Sequence, residues 1–320
     1  TYEANLAMHD CDVMVCIGAR FDDRITGRID AFSPRSKKIH IDIDPSSINK
    51  NVAVELAIVA DAGAAVEALL TEWRRTTQDR APLDLWWRQI EAWRARKSFS
   101  YAPCDQRIKP QLAVERLYAL TRGKDVYITT EVGQHQMWAA QHFHFEQPNR
   151  WMTSGGLGTM GYGLPAALGV QAAFPEALVI DIAGDASVQM TMQEMSTAVQ
   201  HDLPIKVFIL NNAYLGMVRQ WQELLHGGRY SHSYSASLPD FVKLAEAYGC
   251  VGLRAEKPEE LDAKIEEMLS VSRPVIFDCV VTQEENVFPM IPSGAAHNEM
   301  LFGDAEARRH EVSAKGKVLV

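Results

Sequence analysis

The chain has 320 residues, 47% of them apolar and 23% charged, which is long for one domain and comfortable for two. A formal charge of −9 is the wrong sign for a nucleic-acid binder, so anionic ligands would have to be held by local devices and not by the overall field. The five cysteines include no C-x-x-C pair and no 18-residue apolar run occurs, which excludes a zinc ribbon and a membrane-spanning helix and points to reduced thiols in a cytoplasmic setting.

Thr1 to Met8 has neither the basic start nor the apolar run of a signal peptide, and the start reads as a cut through a larger protein with a strand following almost at once. Asp12 to Ile17 and Lys38 to Asp42 are short β-branched runs bounded by turn residues. Glu55 to Ala60 predicts a third strand, and Gly63 to Arg75 a helix with Val66, Leu69 and Leu70 on its apolar side. From Arg74 to Pro110 the composition shifts to Arg, Gln, Trp, Asp and Pro, with a helical stretch over Leu83 to Arg96 whose Trp86, Trp87 and Trp93 pin a connector.

A longer α/β series follows. Predicted helices are Gln111 to Thr121, Gly161 to Phe174, Thr191 to His201, Leu215 to Leu225, Pro239 to Tyr248 and Pro258 to Leu269. Predicted strands are Val126 to Thr129, Leu178 to Ala183, Ile205 to Leu210, a short one at Val251, and Val275 to Val281. The fold class is α/β with parallel sheets, divided as 1–75, a linker at 76–108, a second domain at 109–300 and a tail at 301–320.

Two strand ends carry the chemistry. One apolar run closes on Gly184, Asp185, Ala186 and Ser187, and the next on Asn211 and Asn212, 27 residues on from Asp185 (185 to 212). That spacing is one helix and one strand of a βαβ unit, which would bring Asp185 and Asn212 side by side at the edge where open α/β sheets bind ligands. A carboxylate beside an amide oxygen is a hard oxygen site suited to Mg²⁺, which completes its octahedron with phosphate oxygens. Gly184 allows close backbone approach, and the amides of Ala186 and Ser187 would open the next helix, where a diphosphate is stabilised. Either dipeptide alone is ordinary turn and cap chemistry; the pair at this spacing is what points to a clamp.

These residues resemble the signature of thiamine-diphosphate enzymes, and the segments Glu131 to Gln141, Thr153 to Gly169 and Asn211 to Leu225 narrow the resemblance to the acetolactate synthases, also called acetohydroxyacid synthases. Upstream, Gly18 to Gly27 and Ile39 to Asn51 resemble the central FAD-binding domain of that family, so the likeness runs from about Tyr2 to Leu301. It implies a parallel-sheet thiamine-diphosphate domain preceded by part of a parallel α/β FAD-binding domain.

By that resemblance Asp185 and Asn212 ligate Mg²⁺ through side chains and Tyr214 through its carbonyl. Val132, Gly133, Gln134, His135 and Gln136 hold the diphosphate, with Gly184, Ala186 and Ser187 opposite, and Gly158, Gly216 and Met217 line the cofactor. Met160 wedges the cofactor into its bent form, Trp221 shapes the pocket of the second substrate, and Arg24 receives that substrate's carboxylate, as a guanidinium can do bidentately. For FAD it implies Gly18, Ala19, Arg20 and Asp22 in the loop after the first strand, Asp42 and Ile43 at the adenosine end, and Asp61 with Ala62 as a further contact.

The implied reaction is decarboxylation of pyruvate and its joining to pyruvate or 2-oxobutanoate, in branched-chain amino acid biosynthesis, with FAD taking no net redox part. The family assembles as homodimers or tetramers, often with a smaller regulatory subunit. It also implies that the domain carrying a glutamate for the aminopyrimidine ring precedes Thr1, so that this chain alone should turn over little. The other readings are another thiamine-diphosphate enzyme, such as a pyruvate oxidase, glyoxylate carboligase or 2-oxo-acid decarboxylase, and a non-catalytic cofactor-binding module. A nicotinamide dehydrogenase would want G-x-G-x-x-G after its first strand, and the chain has none.

Overall fold

The computed structural model describes residues 1–76 and 81–303. It separates into two compact units, Thr1–Ser100 with Phe288–Val320, and Tyr101–Val287. The 109–300 domain read from the sequence differs from this at its end, because Met290 and Leu301 bridge to each other and Gly27 bridges to Ala296 within the first unit. Part of the linker at 76–108 and most of the tail at 301–320 lie outside the described residues.

The first unit holds strands β1 (Val13–Ile17), β2 (Lys37–Asp42) and β3 (Leu56–Val59) as one parallel sheet in the order β1-β2-β3. Helices α1 (Tyr2–Asp10), α2 (Asp23–Thr26), α3 (Ala62–Trp73) and α4 (Ala81–Arg94) accompany it. Its small core gathers Cys16, Phe21, Phe32 and Val52. The sequence placed no helix before β1; the structure begins with α1, capped by the Thr1 hydroxyl accepting from the Ala4 N–H. The connector helix α4 stays with this unit, and Arg96 beyond it stacks its guanidinium 3.6 Å from the Phe302 ring centre.

The second unit is a six-stranded, all-parallel sheet in the order β5-β4-β6-β7-β9-β8. Its strands are β4 (Val126–Thr130), β5 (Trp151–Thr153), β6 (Leu178–Gly184), β7 (Lys206–Asn211), β8 (Val251–Ala255) and β9 (Val275–Val280). The helices are α5 (Pro110–Thr121), α6 (Gln134–His142), α7 (Gly163–Ala173), α8 (Met195–Gln200), α9 (Gly216–Leu225), α10 (Phe241–Tyr248) and α11 (Pro258–Ser270). Strand residues alternate between two cores: Ile180, Ile182, Phe208 and Leu210 face one way, Val179, Ala183, Val207 and Ile209 the other. Both faces are covered, which is why these runs read as continuously apolar.

Helix ends follow local chemistry. Pro110 opens α5, Asp240 caps α10 by accepting from Val242 N–H, and Gly249 closes α10 in the left-handed conformation at φ 81°. The sequence missed α6 and the three-residue β5, and read one helix over Thr191 to His201. That helix is a correction: two 3-10 turns, Val188–Met190 and Met192–Glu194, precede the short α8. Among the described residues no helix is long and apolar enough to cross a membrane.

Candidate functional site

Four parallel strands deliver their ends to one edge of the larger sheet: β4 before Glu131, β5 before Ser154, β6 at Gly184 and β7 at Asn211. In the β6–β7 register Gly184 is level with Leu210, so Asp185 and Asn212 leave neighbouring strands together. Asp185 is 1% exposed and Asn212 5%. Burial pushes the Asp185 carboxyl up to about 7, against the pull of its own N–H and that of Asn212. Its Oδ2 is buried with no hydrogen-bond partner. An orphaned carboxylate oxygen of this kind is costly unless a cation completes it.

The turn after β7 is tightly held. Asn211 Oδ1 accepts from Ala213 N–H at 3.2 Å and Asn212 Oδ1 from Tyr214 N–H at 3.1 Å, with Ala213 at φ 57°. Left-handed non-glycine backbone is uncommon, and two side-chain oxygens bonding two residues on hold it here. Among the described residues no three His, Cys, Asp or Glu side chains cluster as a metal set. The donors available at this edge are instead one carboxylate, one amide oxygen and main-chain oxygens, an incomplete hard set that fits a Mg²⁺ carrying phosphate oxygens.

The turn from Gly184 to Ser187 departs from the helix N-terminus expected there. Only the 3-10 turn Val188–Met190 follows, and the Ser187 hydroxyl points inward, donating to Glu131 Oε1 at 2.5 Å. Glu131 Oε1 also accepts from Gly184 N–H at 3.2 Å. The carboxylate therefore braces the loop from behind. Nine-residue α6 instead opens at this edge with Gly133 at its N-terminal boundary, so Gln134, His135 and Gln136 occupy a first turn whose N–H groups lack helical partners. Gln136 Nε2 donates to Thr153 Oγ1 at 2.7 Å, tying α6 to β5.

His135 is wedged between two glycines: a Cβ on Gly133 would lie 2.7 Å from its ring and one on Gly184 2.8 Å from its Nδ1. Burial lowers the imidazole to about 3, so the ring is neutral and its 3.5 Å approach to Glu131 is no ion pair. Gly158 is exposed at φ 72° near Val132, while Met160, Met217 and Trp221 are half-buried.

In the first unit the residues expected around FAD share one edge as well. Gly18 follows β1 at φ 65° with open space where a Cβ would stand, Asp42 and Ile43 close β2, and Asp61 with Ala62 leads from β3 into α3. Asp42 Oδ1 accepts from Asp44 N–H, Asp61 Oδ1 from Ala64 N–H, and Arg20 pairs with Asp22 at 2.5 Å. Ala19 packs against the small core, and Ile43 is 72% exposed. Carboxylates closing adjacent parallel strands beside a glycine turn suit the ribose end of a dinucleotide. Arg24 lies in α2 of this unit with its side chain 72% exposed, 3.8 Å from Asp23.

Three residues that sequence reasoning left out adjoin Glu131 and Gln134. Asp181 is fully buried in β6, its Oδ1 accepting from Thr129 Oγ1 at 3.0 Å, and Gln220 of α9 bonds to Gln134 at 2.8 Å. Gly163, the first residue of α7, stands where any Cβ would collide with the carboxylates of both Asp181 and Glu131. A charged residue inside the apolar run Leu178 to Ala183 was the available signal for Asp181; nothing in spacing marked Gln220.

Comparison with known proteins agrees with this geometry. The family described as thiamine pyrophosphate enzyme, C-terminal TPP binding domain, matches residues 131–279, and the central domain of the same enzymes matches residues 1–69. The chain is 49% identical over 312 residues to the acetolactate synthase isozyme 3 large subunit of Escherichia coli K12, covering 96% of this chain and 54% of that protein. It is 47% identical over 306 residues to the acetolactate synthase large subunit of Haemophilus influenzae, covering 94% and 53%. With the mitochondrial acetolactate synthase catalytic subunit of Saccharomyces cerevisiae it shares 43% over 329 residues, 98% of this chain and 47% of the relative. The chain thus spans about half the length of the curated relatives it matches. It belongs to the thiamine pyrophosphate enzymes, aligned over nearly its whole length with the acetolactate synthase large subunits.

Proposed function

We propose that the chain is the part of an acetolactate synthase catalytic subunit that holds Mg²⁺ and thiamine diphosphate, and that the whole enzyme joins decarboxylation of pyruvate to addition onto pyruvate or 2-oxobutanoate. The observation that carries this reading is the buried, unpartnered Asp185 Oδ2 beside Asn212 on adjacent strand ends. Asp185, Asn212 and the Tyr214 carbonyl hold the cation, and Val132 to Gln136 face Gly184 to Ser187 across the diphosphate. Bound thiamine diphosphate supplies the electron sink that allows a 2-oxo acid to lose CO₂.

The chain's own residues orient and exclude. Glu131 and Ser187 stiffen the loop behind the cation, and neutral His135 adds no charge beside it. Met160 and Met217 offer apolar contact to the cofactor, with Gly158 and Gly216 leaving room for it. Trp221 gives the second substrate an apolar wall, and Arg24 offers its carboxylate a bidentate partner. Gly18, Ala19, Arg20, Asp22, Asp42, Ile43, Asp61 and Ala62 hold FAD along the smaller sheet's edge. Assembly as a homodimer or tetramer with a regulatory subunit is part of the proposal, and relatives named as large subunits support it. Five free cysteines support a reducing, cytoplasm-like compartment.

The test joins this chain to the remaining half of the E. coli relative and measures products from pyruvate with thiamine diphosphate, Mg²⁺ and FAD. Acetolactate is expected, and Asp185→Ala should abolish it. Acetaldehyde or peroxide would move the protein to a decarboxylase or an oxidase, and cofactor binding without any product would favour a non-catalytic module.

A further inference from the structure

The side-chain amide of Asn212 has two unequal ends: an oxygen that can ligate a hard cation and an NH₂ that cannot. Which end is offered is set by a chain of buried amides. Asn212 Nδ2 donates to Gln134 Oε1 at 3.1 Å, and Gln134 Nε2 donates to Gln220 Oε1 at 2.8 Å and to the Glu285 carbonyl at 3.0 Å. Gln220 Oε1 also accepts from the Val287 N–H at 2.9 Å, while its Nε2 donates to the Val287 carbonyl at 3.4 Å. Asn212, Gln134 and Gln220 are 5%, 2% and 3% exposed, so water offers them little alternative.

The far end of this chain is main chain, which cannot turn round: an N–H only donates and a C=O only accepts. A reversed Gln220 would set its NH₂ against the Val287 N–H and its oxygen against the Val287 carbonyl. A reversed Gln134 would set its oxygen against two acceptors, Gln220 Oε1 and the Glu285 carbonyl. Gln134 must therefore present its oxygen to Asn212, and Asn212 must answer with its NH₂. Its Oδ1 is left for the Tyr214 N–H and the cation side.

The anchoring segment is itself held. Arg219 Nη2 donates to the Glu285 carbonyl at 3.0 Å and to Asn286 Oδ1 at 2.6 Å, and Lys109 and Gln111 grip the Glu285 carboxylate. Gly216 makes room where the chain passes, since a Cβ there would run into Gln134 Oε1 and stand 2.8 Å from Asn212 Nδ2.

We infer that Gln220 is a positioning residue: through Gln134 it fixes the sense of the Asn212 amide, so that an oxygen and not an NH₂ is turned to the cation. The inference rests on the reading of Asp185 and Asn212 as the cation's ligands.

The experiment titrates Mn²⁺ into the 320-residue chain with thiamine diphosphate present, following loss of the free-ion EPR signal, with far-UV circular dichroism as the fold control. Gln220→Leu is expected to weaken Mn²⁺ binding about tenfold, the usual scale for losing a group that orients a metal ligand. Gln220→Met, which keeps the side chain's length without the amide, carries the same expectation should the leucine variant fail to fold. Gln220→Glu keeps an acceptor for both the Val287 N–H and Gln134 but sets an oxygen against the Val287 carbonyl, so it should lose less affinity than Gln220→Leu.

In an Asn212→Asp background both ends of the ligand are oxygens, so Gln220→Leu should no longer weaken Mn²⁺ binding. Equal losses in both backgrounds, or no loss with Asn212 in place, would overturn the inference. Asp185→Ala separates it from its premise. If that variant loses Mn²⁺ while Gln220→Leu keeps it, only the positioning role is wrong; if it still binds Mn²⁺, the site reading falls and the inference with it.

Discussion

Glu131 and Asp181 place two carboxyl groups in one dry compartment against the first residue of α7. Burial lifts Glu131 from its ordinary 4.5 up to about 7, and burial with the neighbouring Glu131 charge lifts Asp181 well above its usual range. The folded protein thus keeps protons that the unfolded chain releases above about pH 4.5, so stability falls as pH rises from there through about 7, where Glu131 ionises, and goes on falling until Asp181 does. The thermal midpoint of the cofactor-free chain should drop between pH 5 and pH 8, and Asp181→Asn should flatten that slope. An unchanged slope in the variant would mean the pair is not the source. Gly163→Ala should cost about 1–3 kcal/mol by overpacking, measured by urea unfolding, because its Cβ meets both carboxylates. At this scale the sequence was informative where placement follows from spacing: it set Asp185 and Asn212 at neighbouring strand ends, where they stand. It was silent where chemistry is carried by depth: Glu131 and Asp181 become a pair only when β4 and β6 lie side by side, which no local pattern announces.

Among the elements, the strands of the larger sheet were legible because both of their faces are buried, leaving uninterrupted apolar runs between turn residues. The elements that escaped have weak local signals. α6 mixes Gln, His and Ala with no strong apolar side, and β5 is three residues long. Over Thr191 to His201 the apolar spacing suggested one helix, but the Thr191 hydroxyl bonds the Gly161 carbonyl at 2.9 Å and the segment breaks into 3-10 turns. Packing between elements also sets a prediction. Gly252 in β8 lies under α10, and a Cβ there would stand 2.7 Å from the Val242 carbonyl oxygen and 2.8 Å from its Cα. Backbone cannot rotate aside as a side chain can, so Gly252→Ala must push α10 from the sheet. The expected cost is again about 1–3 kcal/mol, read as a lower urea midpoint with an unchanged slope. A midpoint equal to that of the parent would show that α10 shifts freely.

For the whole molecule, a net charge of −9 means that binding a diphosphate works against the general field, so affinity must come from the cation and from oriented amides at the strand edge. That makes binding local to one of two units, each of which has a core of its own: the four-residue cluster around Phe21 and Phe32 in the first, and the two faces of the six-stranded sheet in the second. Cores that are separate in this way give separate unfolding events, and a ligand raises only the event that destroys its own site. Calorimetry of the chain should therefore resolve two transitions. Mg²⁺ with thiamine diphosphate at about 100 times the dissociation constant adds about 2.7 kcal/mol to the unit it binds, which for a unit of this size moves its midpoint by roughly 5–10 °C. Only the transition of the Tyr101–Val287 unit should move, and Asp185→Ala should cancel the movement. FAD should move the other transition alone. A single transition, or two that rise together with either ligand, would show that the sites draw on a shared core and that the division of labour between the two sheets is wrong.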